Sequence, residues 1–188
     1  ENKVITAMLY AYSTLPERTI ADHVAQMSTD DKLAVVRAYA GDRTNRRHRP
    51  GRALERTDYR FDILSDYGAF RDLQRHRMLT VDWQTLSPRH GFVRPEAIDV
   101  AGHTAAFNRV MDRSAALYDD LLVEHPRQAA YAVSMAFRIR YSMQLNVRSA
   151  MHTLELRSAP QGHPAYRRVA QQMYRQIGDV AGHHALAE

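Results

Sequence analysis

Cysteine is absent from the 188 residues, which excludes disulfides, thiolate metal sites and cysteine nucleophiles. Lysine is nearly absent too: Lys3 and Lys32 are the only lysines among 26 basic residues, so the net charge of +5 is carried by arginine. No apolar run approaches the roughly 20 residues that cross a bilayer, and the N-terminus lacks a charged segment followed by an apolar stretch. The expectation is therefore a cytoplasmic protein without a membrane span. The eight glycines form neither a GxGxxG nor a Walker pattern, which excludes the usual dinucleotide and P-loop folds. No His-Glu-x-x-His pattern occurs, His183-His184 lies near the C-terminus, and His103 reads as a helix residue. No metal site is expected.

What is present is ordinary globular material, with 45% hydrophobic and 25% charged residues, enough for one buried core. A single domain over 1–188 is the expectation, with 1–43 as an N-terminal helical appendage and 44–178 as the core. Because the chain starts at Glu1, it reads as a piece of a longer polypeptide. The arginine bias favours anionic ligands, since a guanidinium grips phosphate or carboxylate at two points where lysine offers one.

Apolar residues Val4 to Tyr12 fit either a strand or a short helix. After Pro16, the spacing of Ile20, Val24 and Met27 predicts one helix. Leu33, Val36 and Tyr39 predict another, with Thr29 as its N-cap and Gly41 as its stop. Asp42 to Arg52 reads as an exposed basic loop. Tyr59, Phe61 and Ile63 alternate as in a strand, and Asp66 is placed to cap a helix running through Arg77, with Phe70 and Leu73 inward. Leu79 to Ser87 reads as extended or looped chain ended by Pro88. One long helix is predicted from Pro95 to about Glu124, then a short one from Pro126 through Val133. Phe137, Ile139, Tyr141, Met143 and Leu145 alternate with polar residues, the clearest strand in the chain. Asn146 caps a helix to about Arg157, and a last helix carries Ala170, Met173 and Ile177.

Three basic segments stand out. Arg46-Arg47-His48-Arg49 lies in a loop, and its plain reading is a solvated charge run. A nucleic-acid contact needs stacking aromatics, and none lies between Asp42 and Ala53, so nucleic acid is not the expected partner. Arg75-His76-Arg77 is read as closing a helix, where cations suit the dipole; Asp72, one turn earlier, is expected to hold His76 charged. On the third segment, Asn146, Thr153 and Arg157 share one helix face, Arg148, His152 and Glu155 another, and Val147, Met151 and Leu154 form an apolar stripe between them. Asn146 opens that helix directly after a strand, where backbone donors suit an anion.

These segments together carry a resemblance. Arg75-His76-Arg77 followed after seven residues by Thr85, then Asn146-Val147-Arg148 and Leu154-Glu155-Leu156-Arg157, resemble the flavin-dependent thymidylate synthases. So do the loop entry Arg49-Pro50-Gly51-Arg52-Ala53-Leu54-Glu55 and the ending Gly162-His163-Pro164-Ala165-Tyr166-Arg167. The likeness covers roughly Thr44 to Gln176. It implies a mixed α/β (α+β) fold of the thymidylate synthase-complementing-protein type, a central sheet with flanking long helices, assembled as a homotetramer with FAD where subunits meet. It also implies methylation of dUMP to dTMP, with methylenetetrahydrofolate and NADPH as co-substrates and no need for an enzyme cysteine.

Carried over by position, the resemblance implies that Arg75, His76, Arg77, Asn146, Arg148 and His152 contact FAD. Thr85, Arg89 and Arg157 contact the nucleotide, and Arg157 promotes ionisation of its ring. The pattern departs where the family's flavin-contacting Glu is Trp83 and a phosphate-holding Arg is Ser87, with Arg89 two residues on as its replacement. Asp72 stands where a substrate-reading Gln is expected, and Ala130 where an Arg is. These departures keep a second expectation open, a catalytically degenerate, structural or FAD-binding half of a fused synthase pair. A nucleic-acid-binding module is the third.

Overall fold

The structure, a computed structural model, describes residues 1–186. It is a mixed α/β fold. Helices α1 (Asn2–Tyr10), α2 (Glu17–Gln26) and α3 (Thr29–Ala40) come first. Strand β1 (Asp58–Asp66) leads into α4 (Tyr67–Leu73), and β2 (Thr80–Trp83) precedes α5 (Glu96–Val100) and α6 (Thr104–Glu124). Strand β3 (Arg138–Asn146), α7 (Val147–Ser158) and α8 (Pro164–Asp179) follow.

The sheet has the order β1-β3-β2. Tyr67 donates its N–H to the Phe137 carbonyl at 2.8 Å, and Val147 donates to the Thr57 carbonyl at 3.0 Å. Such closing bonds at opposite ends require β1 and β3 to run antiparallel. The period-two pattern decides the faces: Tyr59, Phe61, Ile63 and Ser65 of β1 are buried, as are Ile139, Tyr141, Met143 and Leu145 of β3. The buried Ser65 hydroxyl on β1 is matched, because Ser65 and Tyr141 hydroxyls lie 3.1 Å apart.

The chain divides into two compact units, the division falling within β1 and β3. One comprises Glu1–Phe61, His76–Thr80 and the chain from Met143 onward; the other comprises Asp62–Arg75 and Val81–Ser142. In the first, Ile5, Ile20 and Val24 form a cluster with Leu9, Met27, Val35 and Val36. Helices α7 and α8 of the same unit pack together, burying Val147, Ala150, Leu154, Val169, Ala170, Met173 and Ile177. Each large side chain so buried stabilises by about 1.5–3 kcal/mol. Tyr39 and Gly51 are also matched: the Tyr39 hydroxyl accepts the Ala53 N–H at 3.1 Å, and a Cβ at Gly51 would lie 2.1 Å from that oxygen. In the second unit, Met111 and Tyr118 of α6 pack with Ala129, Val133 and Phe137. Phe92 sets its ring edgewise against Phe107 and Phe137, each at 5.9 Å.

Several expected elements differ. The ambiguous N-terminal run is helical, and the N-cap of α3 is Ser28, whose hydroxyl accepts the Asp31 N–H, so Thr29 is already inside the helix. Helix α4 stops at Leu73 and does not reach Arg77. The single helix from Pro95 to Glu124 is two helices, because Gly102 adopts φ 73° and His103 donates back to the Ile98 carbonyl. A glycine just past a helix end takes this left-handed turn at no steric cost. The short helix expected from Pro126 is a 3-10 turn over Ala129–Ala132. No helix among the described residues is long and apolar enough to cross a membrane.

Candidate functional site

Helix α7 starts where β3 ends. The Asn146 side-chain oxygen accepts the Ser149 N–H at 2.9 Å, as the sequence predicted. One turn of sidedness then separates its polar residues. Thr153 and Arg157 reach His76: the Arg157 Nε donates to His76 Nε2 at 2.9 Å, and Thr153 Oγ1 lies 3.3 Å from His76 Nδ1. The His152 ring stands edge-on to His76 at 6.1 Å, and the Arg157 guanidinium lies 5.2 Å from the Tyr166 ring centre on α8.

Because Arg157 is only a donor, Nε2 of His76 must be its acceptor, and the single ring proton sits on Nδ1, directed to Thr153. His76 is therefore neutral. Burial, then the Arg157 and His152 charges, push its pKa down to about 4. The expectation that Asp72 keeps this imidazole charged is overturned: the helix ends before His76, and Asp72 pairs with Arg75 at 3.7 Å. In the same unit Arg77 is exposed beside His76 in the chain. Arg148, in the first turn of α7, donates to Glu55 at 2.6 Å. Arg148 and Arg52 together hold the Glu55 carboxyl below its ordinary range.

Of the nine residues singled out from sequence, His76, His152 and Arg157 thus meet in one cluster, while Asn146 and Arg148 stand at the opening turn of α7. In the other unit Thr85 and Arg75 are exposed. Arg89 pairs with Asp119 and lies 5.9 Å from the Tyr118 ring centre. Trp83, exposed, has its ring 5.7 Å from that of Phe70.

The ion pair of Arg43 with Glu155 was not foreseen. Arg43 engages Glu155 through two bonds of 2.7 and 3.0 Å, and its Nε donates to the His48 carbonyl. The pair borders a cleft of about 620 Å³ with Met151, Leu154, Tyr174 and Arg175 among its walls. No local signal in the sequence joins Arg43 to Glu155, although Glu155 lies on the α7 face already marked as polar. Among the described residues no group of acidic, histidine or cysteine side chains is arranged to hold a metal ion.

The fold and this cluster define a mixed α/β domain in which a capped helix, emerging from a central antiparallel strand, presents arginine and histidine from its polar faces. The family model described as thymidylate synthase complementing protein matches residues 2–182, and the chain belongs to that family. A UPF0159 protein of Chlamydia pneumoniae is 37% identical over 175 residues, covering 93% of this chain and 33% of that protein. A UPF0159 protein of Thermoplasma acidophilum is 31% identical over 187 residues, covering 98% of this chain and 37% of its own length. The chain thus spans about a third of the length of these curated relatives. Among solved structures, the UMP/dUMP methylase PolB of Streptomyces cacaoi, bound with 5-Br dUMP, superposes with a TM-score of 0.72 at 15% identity, covering 97% of this chain and 89% of its own. The flavin dependent thymidylate synthase ThyX of Helicobacter pylori, complexed with FAD and dUMP, gives 0.64 at 19% identity over 100% and 93%. At those identities the likeness is one of fold.

Proposed function

We propose that this chain is a flavin-dependent thymidylate synthase domain that binds FAD and dUMP and forms dTMP in the cytoplasm, with methylenetetrahydrofolate and NADPH as co-substrates. It would do so as a homotetramer or paired with a second homologous domain. The observation that carries the reading is the neutral His76 that orients Arg157. A carboxylate in that position would offset the guanidinium charge, whereas a neutral imidazole aims it through an uncharged contact. A guanidinium fixed beside a uracil ring favours the ring's anionic form, which is the form that reacts at carbon.

The donor set suits a phosphate-bearing cofactor. Asn146 caps α7 with a neutral amide, so no carboxylate at the cap offsets the positive helix end. Arg77 is exposed, and Arg148 is held by Glu55, a carboxylate that an arriving phosphate replaces as its anion. In this reading His76, Arg77, Asn146, Arg148 and His152 hold FAD, which supplies the hydride when bound, and Arg157 touches the nucleotide. The resemblance adds Arg75 as a further FAD contact and Thr85 and Arg89 as nucleotide contacts. The test is the visible spectrum of the purified chain with FAD, followed by a dUMP titration and an assay for dTMP. Flavin bands that sharpen, respond to dUMP and accompany dTMP formation support the proposal.

A second reading is a degenerate, FAD-binding or structural half of a fused pair. It is supported by Trp83 and Ser87 at positions where the family carries Glu and Arg, and by the threefold length of the curated relatives. Flavin binding without a dUMP response, together with activity restored by an intact partner domain, is its signature.

A further inference from the structure

We propose that Tyr166, in the first turn of α8, is a positioning residue whose ring face fixes the plane of the Arg157 guanidinium, with Gly162 leaving the space that the ring needs. How the guanidinium is held rests on geometry, and what it then does rests on the flavin reading. The ending Gly162 to Arg167 carries part of the family resemblance, yet none of its residues is among the flavin or nucleotide contacts above.

Three bonds close the chain between α7 and α8. Gly162 donates its N–H to the Ala159 carbonyl at 2.9 Å, the His163 side chain accepts the Ala165 N–H, and Arg167 Nε donates to the Ser158 carbonyl at 3.3 Å. The last of these satisfies one of the carbonyls that a helix leaves open at its end. Pro164 takes the first turn of α8, where its missing N–H costs nothing. Side chains of a helix lean toward its N-terminus, so the Tyr166 ring leans over the loop and meets Arg157, the residue before the last of α7.

The ring has two close neighbours. The Arg157 guanidinium lies over it, 5.2 Å from the ring centre, within the range where a ring face attracts a cation. At Gly162 a Cβ would stand 2.7 Å from a ring carbon and 2.9 Å from the hydroxyl oxygen, well inside the separation at which such atoms pack. Gly162 is not among the residues with positive φ, so its missing side chain supplies space and not backbone freedom. The bond from Arg157 Nε to His76 at 2.9 Å sets the direction of the group, but by itself leaves rotation about that bond open. The face of Tyr166 restrains this rotation, and like the neutral imidazole it does so without a charge of its own. With the plane fixed, the two terminal nitrogens keep a set direction, which a two-point grip on a planar anion such as an ionised uracil ring requires.

The experiment compares Tyr166→Phe, Tyr166→Leu and Gly162→Ala with the unaltered chain, by proton–nitrogen NMR of the arginine side chains and by dTMP formation with FAD present and dUMP varied. The Arg157 Nε–H resonance, identified by its loss in Arg157→Lys, is expected to carry a ring-current shift that Tyr166→Phe keeps, Tyr166→Leu abolishes and Gly162→Ala reduces. Tyr166→Leu should lower kcat on the order of 10-fold and leave KM within about twofold, since an aimed cation acts in the transition state. Tyr166→Phe should match the unaltered chain and Gly162→Ala should fall between the two, which keeps the test in force if Tyr166→Leu does not fold. A Tyr166→Phe variant as impaired as Tyr166→Leu, a resonance that Tyr166→Leu leaves in place, or a Tyr166→Leu variant with undiminished kcat overturns the proposal. An unaltered chain that forms no dTMP, while the resonance still follows the ring, sinks the flavin reading and supports the positioning of Arg157.

Discussion

Two strand-to-helix passages, β1 into α4 and β3 into α7, are built on the same local rule and end with different chemistry. Each strand has nine residues with alternate burial, and each helix begins at once, capped by the last strand residue: Asp66 accepts the Ala69 N–H at 2.8 Å, and Asn146 accepts the Ser149 N–H at 2.9 Å. The difference is charge. A carboxylate cap offsets the positive end of α4, whereas the amide cap of α7 does not. Helix α4 then buries Ala69, Phe70 and Leu73 within seven residues and stops. Helix α7 runs for 12 residues and carries Thr153 and Arg157 to His76. One passage is packing, and the other is packing with a chemical face.

The largest effect that would break this contrast is on α4. Phe70→Ala removes a ring that is 1% exposed and 4.7 Å from the Tyr141 ring. It should cost about 3–5 kcal/mol of folding stability, read by chemical denaturation. Next in size, Arg157→Ala on α7 should leave the fold intact and lower dUMP-dependent turnover on the order of 100-fold or more. Arg157→Lys should not restore it, because lysine cannot make the same directed contact with His76.

A smaller effect depends on pH. The unfolded chain protonates His76 near pH 6.5 and the folded chain only near about 4, so between these values the unfolded state holds more protons. The neutral form's contribution to stability is therefore complete above pH 6.5 and is lost as pH falls from 6.5 towards 4. His76→Gln should flatten that segment of the stability profile.

The smallest effects sharpen the comparison at the caps. Asn146→Ala should cost about 1 kcal/mol. Asn146→Asp should keep the cap while weakening FAD binding about three- to fivefold through the added charge. Asp66→Asn should leave FAD affinity unchanged, and an equal loss of affinity at both caps would erase the distinction.

Both caps were legible in the sequence, because an Asp or Asn at the junction of a period-two run and a helix is a local signal. The faces of β1, β3 and α8 were legible for the same reason, and so was membership of the thymidylate synthase complementing protein family. The break at Gly102 was not, since apolar residues keep helical spacing on both sides of it and the left-handed turn costs glycine nothing. The end of α4 was misplaced because Arg75-His76-Arg77 suits a helix end by charge, whereas the chain leaves the helix at Gln74. The state of His76 was misread for a deeper reason. Asp72 is near in sequence, but burial and Arg157, which is remote in sequence, decide the proton, and neither is visible before the chain folds. The pair Arg43 and Glu155 was hidden likewise.

The segment carrying Arg46 and Arg47 is tied at both ends: Arg43 is fixed by Glu155 before it, and after it Gly51 and Ala53 are fitted to Tyr39. A strand of foreign peptide spliced between Arg46 and Arg47 would part Arg43 from the His48 carbonyl and Asn45 from the Arg47 and His48 N–H groups, while the bonds to Glu155 and to Tyr39 lie outside the splice. The loop is thus fastened to itself as well as at its ends, and its length is set by the turn that returns His48 to Arg43.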